Sequence, residues 1–287
     1  EDSGSLDQVN FIRIFKTLGF DIAFISLLKF DDAQDTGANI AALGAHCVTA
    51  AEFSTVEEYL FLNQERITVL FLSRVHFGGA WIERARAFCP KARIIFNTVD
   101  LHHVREKREA ELRGDVAGAE HAEETKRLEY ACVLAADASI VVSEQEQKLL
   151  SEELPSARVV VVPLIREVLR TSFPDWHGRS NLAFIGGFQH QPNVDAVNYF
   201  LDEIWPLVRA RRPGLVFHVI GSHLPSDLKE RNDPDVEWVG YVPEIEPWLD
   251  KLRLTVAPLR YGAGAKGKVV SSLLNGVPCV ATSIAVE

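Results

Sequence analysis

Leu254-Thr255-Val256-Ala257, then Pro258-Leu259-Arg260-Tyr261-Gly262-Ala263-Gly264-Ala265-Lys266-Gly267-Lys268, then Val269-Val270-Ser271-Ser272-Leu273-Leu274-Asn275-Gly276 is the stretch that decides how this chain reads. Its first part is apolar and of strand length. Its last part has helical patterning and is stopped by a glycine. A glycine-spaced turn at a helix start presents free backbone N–H groups and the positive end of the helix dipole, here beside two lysines. Such a turn suits a phosphate or diphosphate, and a plain connecting turn is the competing reading.

The surrounding charge favours the anion. Between Lys251 and Val286 lie five basic residues and no acidic one, in a chain of 30 basic and 40 acidic residues with formal net charge −10. Up to Leu164 there are 17 basic and 26 acidic residues; the remainder has 13 and 14. A local positive stretch in an acidic chain suits a compact anionic ligand. Nucleic acid needs a broad basic face, and none is visible.

With 287 residues, 47% hydrophobic and 24% charged, the composition is that of globular material in two domains. The longest apolar runs, Ile67–Leu72 and Val159–Val162, are too short to span a bilayer. A signal peptide is not expected in the opening residues. Cys47, Cys89, Cys132 and Cys279 are widely spaced and read as buried thiols in a reducing cytoplasm. The nine histidines show no His-Glu-x-x-His spacing, so no metal site is expected. The chain has no methionine, opens in a loop at Glu1–Ser5 and stops just after a strand, so a fragment cut at both ends is expected.

Strand and helix signals alternate throughout. Strands are expected at Phe20–Leu28, Ile67–Leu72, Ala92–Asn97, Ala138–Val142 and Arg158–Val162, with helices at Leu6–Leu18, Thr55–Asn63, Gly78–Phe88 and Leu101–Leu134. A second series of strands covers Asn181–Ile185, Leu215–Ile220, Val236–Val239, Leu254–Ala257 and Pro278–Thr282, with a helix at Val194–Arg211. That rhythm predicts an α/β protein with parallel sheets and crossover helices. Residues 1–165 form the expected first Rossmann-like domain, 166–180 a linker containing Pro174 and Gly178, and 181–287 the second domain.

The second domain resembles a known family. Phe184-Ile185-Gly186-Gly187-Phe188, His190–Ala196, Val219-Ile220-Gly221-Ser222, Val239-Gly240-Tyr241-Val242-Pro243, the opening motif, Asn275–Pro278 and Glu287 are similar to the donor-binding half of family 4 (group 1) retaining glycosyltransferases. The similar branch is a bacterial one with a Gly-Ala-Gly-x-Lys-Gly-Lys motif. More loosely, Asp2-Ser3-Gly4-Ser5 is similar to the family's first loop, and Asn97–Arg105 with Glu106–Glu109 to its Asp-x-His-x-x-Arg-Glu segment. The resemblance implies the GT-B fold, two Rossmann-like domains facing across a cleft onto which Gly186, Gly264 and His102 open. It also implies sugar transfer from a nucleotide diphosphate donor to a saccharide or lipid-linked acceptor in polysaccharide synthesis. The first domain would be the acceptor side; the setting would be cytoplasmic, with no cofactor or metal and with peripheral membrane contact at most.

Residue by residue, the resemblance and the chemistry combine. Gly186 and Gly187 after a strand let a ligand approach the backbone, or simply make a tight turn. Ala263, Gly264, Lys266, Gly267 and Lys268 would cradle the diphosphate and stabilise it as it leaves. Lys266, nearer the turn, is expected to matter more than Lys268. Tyr241 and Val242 would lie near the base, although Val242 could be mere packing; His190 could face the donor or only cap a helix. Two glutamates of the family, eight positions apart, correspond here to Ala263 and Ser271, and Ser271 offers the ribose one short neutral group. Glu287 would complete the donor side. In the first domain, His102 and Asp100 would be catalytic, lining the cleft near the transferred sugar, and Arg105 with Ser3 and Gly4 would meet acceptor or phosphate. The rival for this segment is a helix start, with Asp100 as N-cap and Arg105/Glu109 and Lys107/Glu111 pairs on a solvated face that also holds Arg108. A binding or scaffold domain without turnover, and a nucleotide-sugar epimerase, remain as alternative functions.

Overall fold

A computed structural model describes residues 3–28, 30, 34–168 and 171–287. The chain divides into two compact units, Glu1–Lys107 with Ala117–Ile165, and Arg108–Val116 with Arg166–Glu287. Among the described residues every strand pairing is parallel.

The first unit runs α1 (Ser3–Thr17), β1 (Ala23–Phe24), α2 (Gln34–Ala42), β2 (His46–Cys47), α3 (Val56–Asn63), β3 (Val69–Ser73) and α4 (Ile82–Phe88). It continues through β4 (Arg93–Asn97), α5 (His102–Arg113), α6 (Val116–Ala135), β5 (Ala138–Val141), α7 (Glu144–Glu153) and β6 (Val159–Val161). The last residues of α5 and the first of α6 count with the second unit. Its strands form a four-stranded sheet, β3-β4-β5-β6, and a separate pair, β1-β2. The strand expected at Phe20–Leu28 is thus two residues long, because its partner offers only His46 and Cys47. Ile94 and Phe96 of β4 are fully buried with Val141, Leu150 and Val133. Removing such a side chain from water contributes about 1.5–3 kcal/mol.

Three expected helices of the first unit differ in detail. The first starts at Ser3, and Asp2 lies outside the described residues. Gly78–Phe88 is preceded by a π-turn, Arg74–Gly78, and only Ile82–Phe88 is α-helical. A side chain at Gly78 would collide with the Ser73 nitrogen at 2.4 Å, so glycine lets this turn lie on the end of β3. The long segment Leu101–Leu134 is two helices. Gly114 adopts φ 63° and Asp115 N–H donates to the Ala110 carbonyl at 2.9 Å, a left-handed helix stop.

The second unit contains β7 (Ser180–Ile185), α8 (Gln191–Tyr199), α9 (Trp205–Arg211), β8 (Phe217–Ile220), α10 (Ser226–Lys229) and β9 (Val236–Gly240). After these come α11 (Glu246–Leu249), β10 (Leu252–Ala257), α12 (Gly267–Leu274) and β11 (Cys279–Ala281). The sheet order is β11-β10-β7-β8-β9. Alternation along β7 sends Leu182 and Phe184 into one core and Ala183 into another, so the sheet is covered on both faces. Counted from β7 the order is that of a Rossmann sheet, and it reverses between β7 and β10. Open parallel sheets bind ligands outside the strand ends at that point. Gly186-Gly187 leaves the end of β7 and the opening motif leaves the end of β10.

Candidate functional site

The loops at this switch point close on one another through a few specific contacts. Gly221, just past β8, has φ 158°, and a side chain there would come within 1.9 Å of the Gly186 carbonyl oxygen. A side chain on Gly186 would meet Asn193 Nδ2 at 2.9 Å and Lys268 Nζ at 3.0 Å. Asn193, buried in the first turn of α8, donates from Nδ2 to the Gly187 carbonyl at 2.7 Å and accepts from Lys268 Nζ at Oδ1. Its side chain therefore ties the glycine turn to the first turn of α12. Lys268 Nζ also sits over the Phe184 ring, 4.3 Å from its centroid. Burial, with the nearby charge of Lys266, pushes the Lys268 amine down to about 7.

Lys266 occupies the N-cap position of α12 but makes no capping side-chain bond there. Its Nζ instead donates to the carbonyls of Ala263, at 2.7 Å, and Gly264. Gly264 has φ 66° and Gly262 φ 150°, conformations that favour glycine. The two lysines thus do different work: Lys266 holds the turn in shape, and Lys268 reaches the β7 loop. Ser271 lies one turn further along, its carbonyl accepting from Asn275 Nδ2 at 2.9 Å. Gly267 opens α12, and Ala263 is buried in the turn. Arg260 is engaged elsewhere, by Asp195 on α8, its Nε at 3.0 Å from Oδ2.

Arg108, expected on a solvated face, belongs instead with Arg108–Val116 to this unit. Arg108 Nη1 donates to the Gly262 carbonyl at 2.6 Å, and its guanidinium meets both carboxylate oxygens of Glu287 at 2.7 Å. Tyr261 O–H donates to Glu109 at 3.2 Å. Charge alone marked Arg108 as a surface residue; its partners are more than 150 positions away in sequence, which no local pattern announces. Tyr241 is exposed and Val242 packs beside the core of Ala183 and Leu249. His190 is exposed at the start of α8, and its side chain makes no cap; its carbonyl accepts from Asn193 N–H at 2.9 Å.

In the first unit, the end of β4 leads into Thr98-Val99-Asp100-Leu101-His102. Val99 holds φ 69°, an outlier for a β-branched residue, with its N–H on Asn97 Oδ1 at 3.3 Å. Asp100 is not the N-cap of α5. The Leu101 N–H goes to Glu146 at 3.0 Å, and those of His102 and His103 go to the buried Glu129 at 2.8 and 3.1 Å. These internal carboxylates fill the anion position at the helix start. Asp100 is left to bind Arg105 and to sit 3.3 Å from His102 Nε2. Glu109 pairs with Arg113 at 2.9 Å rather than with Arg105. Ser3 and Gly4 open α1, and their side chains lie outside the described residues.

Residues 179–287 match the family of glycosyl transferases group 1. No curated protein matches the chain. Among solved structures, sucrose-phosphate synthase from Thermosynechococcus elongatus aligns with TM-score 0.62 at 14% identity, over 92% of this chain and 81% of that one. Alr3699/HepE of Anabaena, in complex with UDP and glucose, aligns with TM-score 0.61 at 11% identity, over 97% and 76%. TarM of S. aureus gives 0.58 at 14% identity, over 78% of this chain and 44% of its own, so the present chain spans less than half of TarM. At these identities the likeness is one of fold: α/β, with parallel sheets, of the GT-B glycosyltransferase kind. No helix among the described residues is long and apolar enough to cross a membrane.

Proposed function

We propose that this chain is a retaining GT-B glycosyltransferase of the bacterial branch with the Gly-Ala-Gly-x-Lys-Gly-Lys motif. It moves a sugar from a nucleotide diphosphate donor to a saccharide or lipid-linked acceptor in polysaccharide synthesis, in the cytoplasm and without a catalytic metal. The observation that carries the reading is the switch-point cradle, where Gly186, Asn193 and Lys268 meet the first turn of α12. UDP bound to Alr3699/HepE and to TarM, both of like fold, supports a nucleotide donor.

In this reading the first-turn amides of α12 and Lys268 hold the diphosphate and stabilise the charge that develops as it departs. Glycine at 186 keeps the space beside Lys268 Nζ open. Tyr241 and Val242 face the base, His190 the donor, and Ser271 offers the ribose a hydroxyl. Glu287, held by Arg108, borders the Gly262 turn from the donor side. His102, oriented by Asp100, meets the transferred sugar, and Arg105 with the Ser3-Gly4 loop serves acceptor or phosphate. The test is a panel of nucleotide sugars incubated with saccharide and lipid-linked acceptors, reading product and released nucleoside diphosphate. Donor-dependent transfer with retained anomeric configuration supports the proposal. Tight nucleotide binding with no release would favour a scaffold, and interconversion of the free donor an epimerase.

A further inference from the structure

The stretch from Lys251 to Val286 holds no acidic residue, and Glu287 then brings a carboxylate back to the donor turn. That carboxylate is covered. Arg108 Nη1 and Nη2 meet its two oxygens at 2.7 Å each, and Nη1 also donates to the Gly262 carbonyl at 2.6 Å. On the reading of the switch point as the donor site, we propose that Arg108 is a positioning residue. It masks the charge of Glu287 from the diphosphate and fixes the Gly262 turn.

All of these residues belong to the second unit. One guanidinium nitrogen bridges Gly262 and Glu287, so the carboxylate stands directly beside the turn. A side chain on Gly262 would meet Lys266 Cε at 3.1 Å, so the residue gripped by Arg108 also packs against the lysine that shapes the turn. Only 29% of the Arg108 side chain and 12% of that of Glu287 are exposed. Charges so placed are weakly screened, and a bare carboxylate there would act strongly on a second anion. The two-pronged contact is one that a guanidinium makes and an ammonium does not. The next residue of α5 holds the same turn. Tyr261 is fully buried and donates to Glu109 at 3.2 Å, and Glu109 is paired with Arg113 at 2.9 Å. Glu109 and Glu287 are thus each matched by an arginine of α5, which leaves the positive end of α12 to set the field at the turn.

A pair that only anchored α5 would leave nucleotide affinity indifferent to the charge at position 287. Two measurements on the full chain separate the cases, with circular dichroism checking the fold of each variant. In urea unfolding, Arg108→Ala and Glu287→Gln should be strongly non-additive; additive changes would overturn the pair itself. In calorimetric titration with UDP, Arg108→Ala should bind at least about tenfold more weakly than the parent, and adding Glu287→Gln should restore much of the loss. The deficit of Arg108→Ala should also shrink as salt is raised, because screening weakens a repulsion but does not replace lost packing. Arg108→Lys, which keeps the charge, should lie between Arg108→Ala and the parent. Unchanged UDP affinity in Arg108→Ala, or a loss that Glu287→Gln does not relieve, would overturn the masking role and leave the donor site standing. A parent that binds neither UDP nor any other nucleoside diphosphate would overturn the donor reading, and the masking role with it, even where the pair is measured.

Discussion

Lys268 is where burial, charge and ligand chemistry meet. Its amine is held down to about 7 by burial first and by Lys266 second, against an ordinary value of 10.5. A bound diphosphate favours the ammonium form and raises that value again. Affinity for a nucleoside diphosphate should therefore be fullest below pH 7 and fall as pH rises through it, by up to about tenfold per unit. At pH 8 binding should take up a proton, which calorimetry in two buffers of different ionisation enthalpy reads directly; no uptake would refute the assignment. The same shift sets a stability cost. The unfolded chain binds more protons between pH 7 and 10.5, so this lysine's penalty is complete below 7 and disappears as pH rises toward 10.5. Lys268→Met should raise Tm by several degrees at pH 6 while weakening nucleoside diphosphate binding. His102 separates fold from function in another way. Its backbone N–H, not its ring, is what Glu129 holds, so His102→Ala should keep the parental Tm within about 2 °C. Transfer at saturating donor should fall at least about tenfold; full activity would return His102 to a purely local role.

Among the elements, α5 depends most on distant residues. Its first amides are taken by Glu129 and Glu146, which lie on α6 and α7. Glu129 also accepts from His103 Nδ1 at 2.5 Å. Glu129→Ala strands three buried donors and should cost about 3–5 kcal/mol, measured by urea unfolding. A loss below 1 kcal/mol would mean that water replaces the carboxylate. This is also where the sequence was least legible. Asp100 looked like a cap because Asp before a helix usually is one, and nothing local marked a glutamate 29 positions on as the true partner. The π-turn at Arg74–Gly78 was equally hidden, since five residues are too few to show a period. By contrast, the strand series and the turn between β10 and α12 were plain, because apolar runs and glycine spacing are local signals. Asn193, covered in the sequence only within the segment His190–Ala196, became a site residue once its two hydrogen bonds were visible.

At the scale of the whole molecule, two α/β units share one chain of acidic character, and the basic residues at the β10–α12 turn stand out against it. Strand order, not composition, locates the ligand position: the reversal between β7 and β10 brings together two loops that are about 70 residues apart in sequence. The central claim is that this switch point holds the diphosphate of a nucleotide donor. Calorimetric titration of a panel of nucleoside diphosphates against the parent chain, Lys266→Ala and Lys268→Ala tests it most directly. The account predicts that at least one diphosphate binds the parent and binds about ten- to hundredfold more weakly once the engaged lysine is removed, the loss of a charge-assisted hydrogen bond of roughly 1.5–3 kcal/mol. Absence of binding to every diphosphate, or unchanged affinity in both variants, would contradict it.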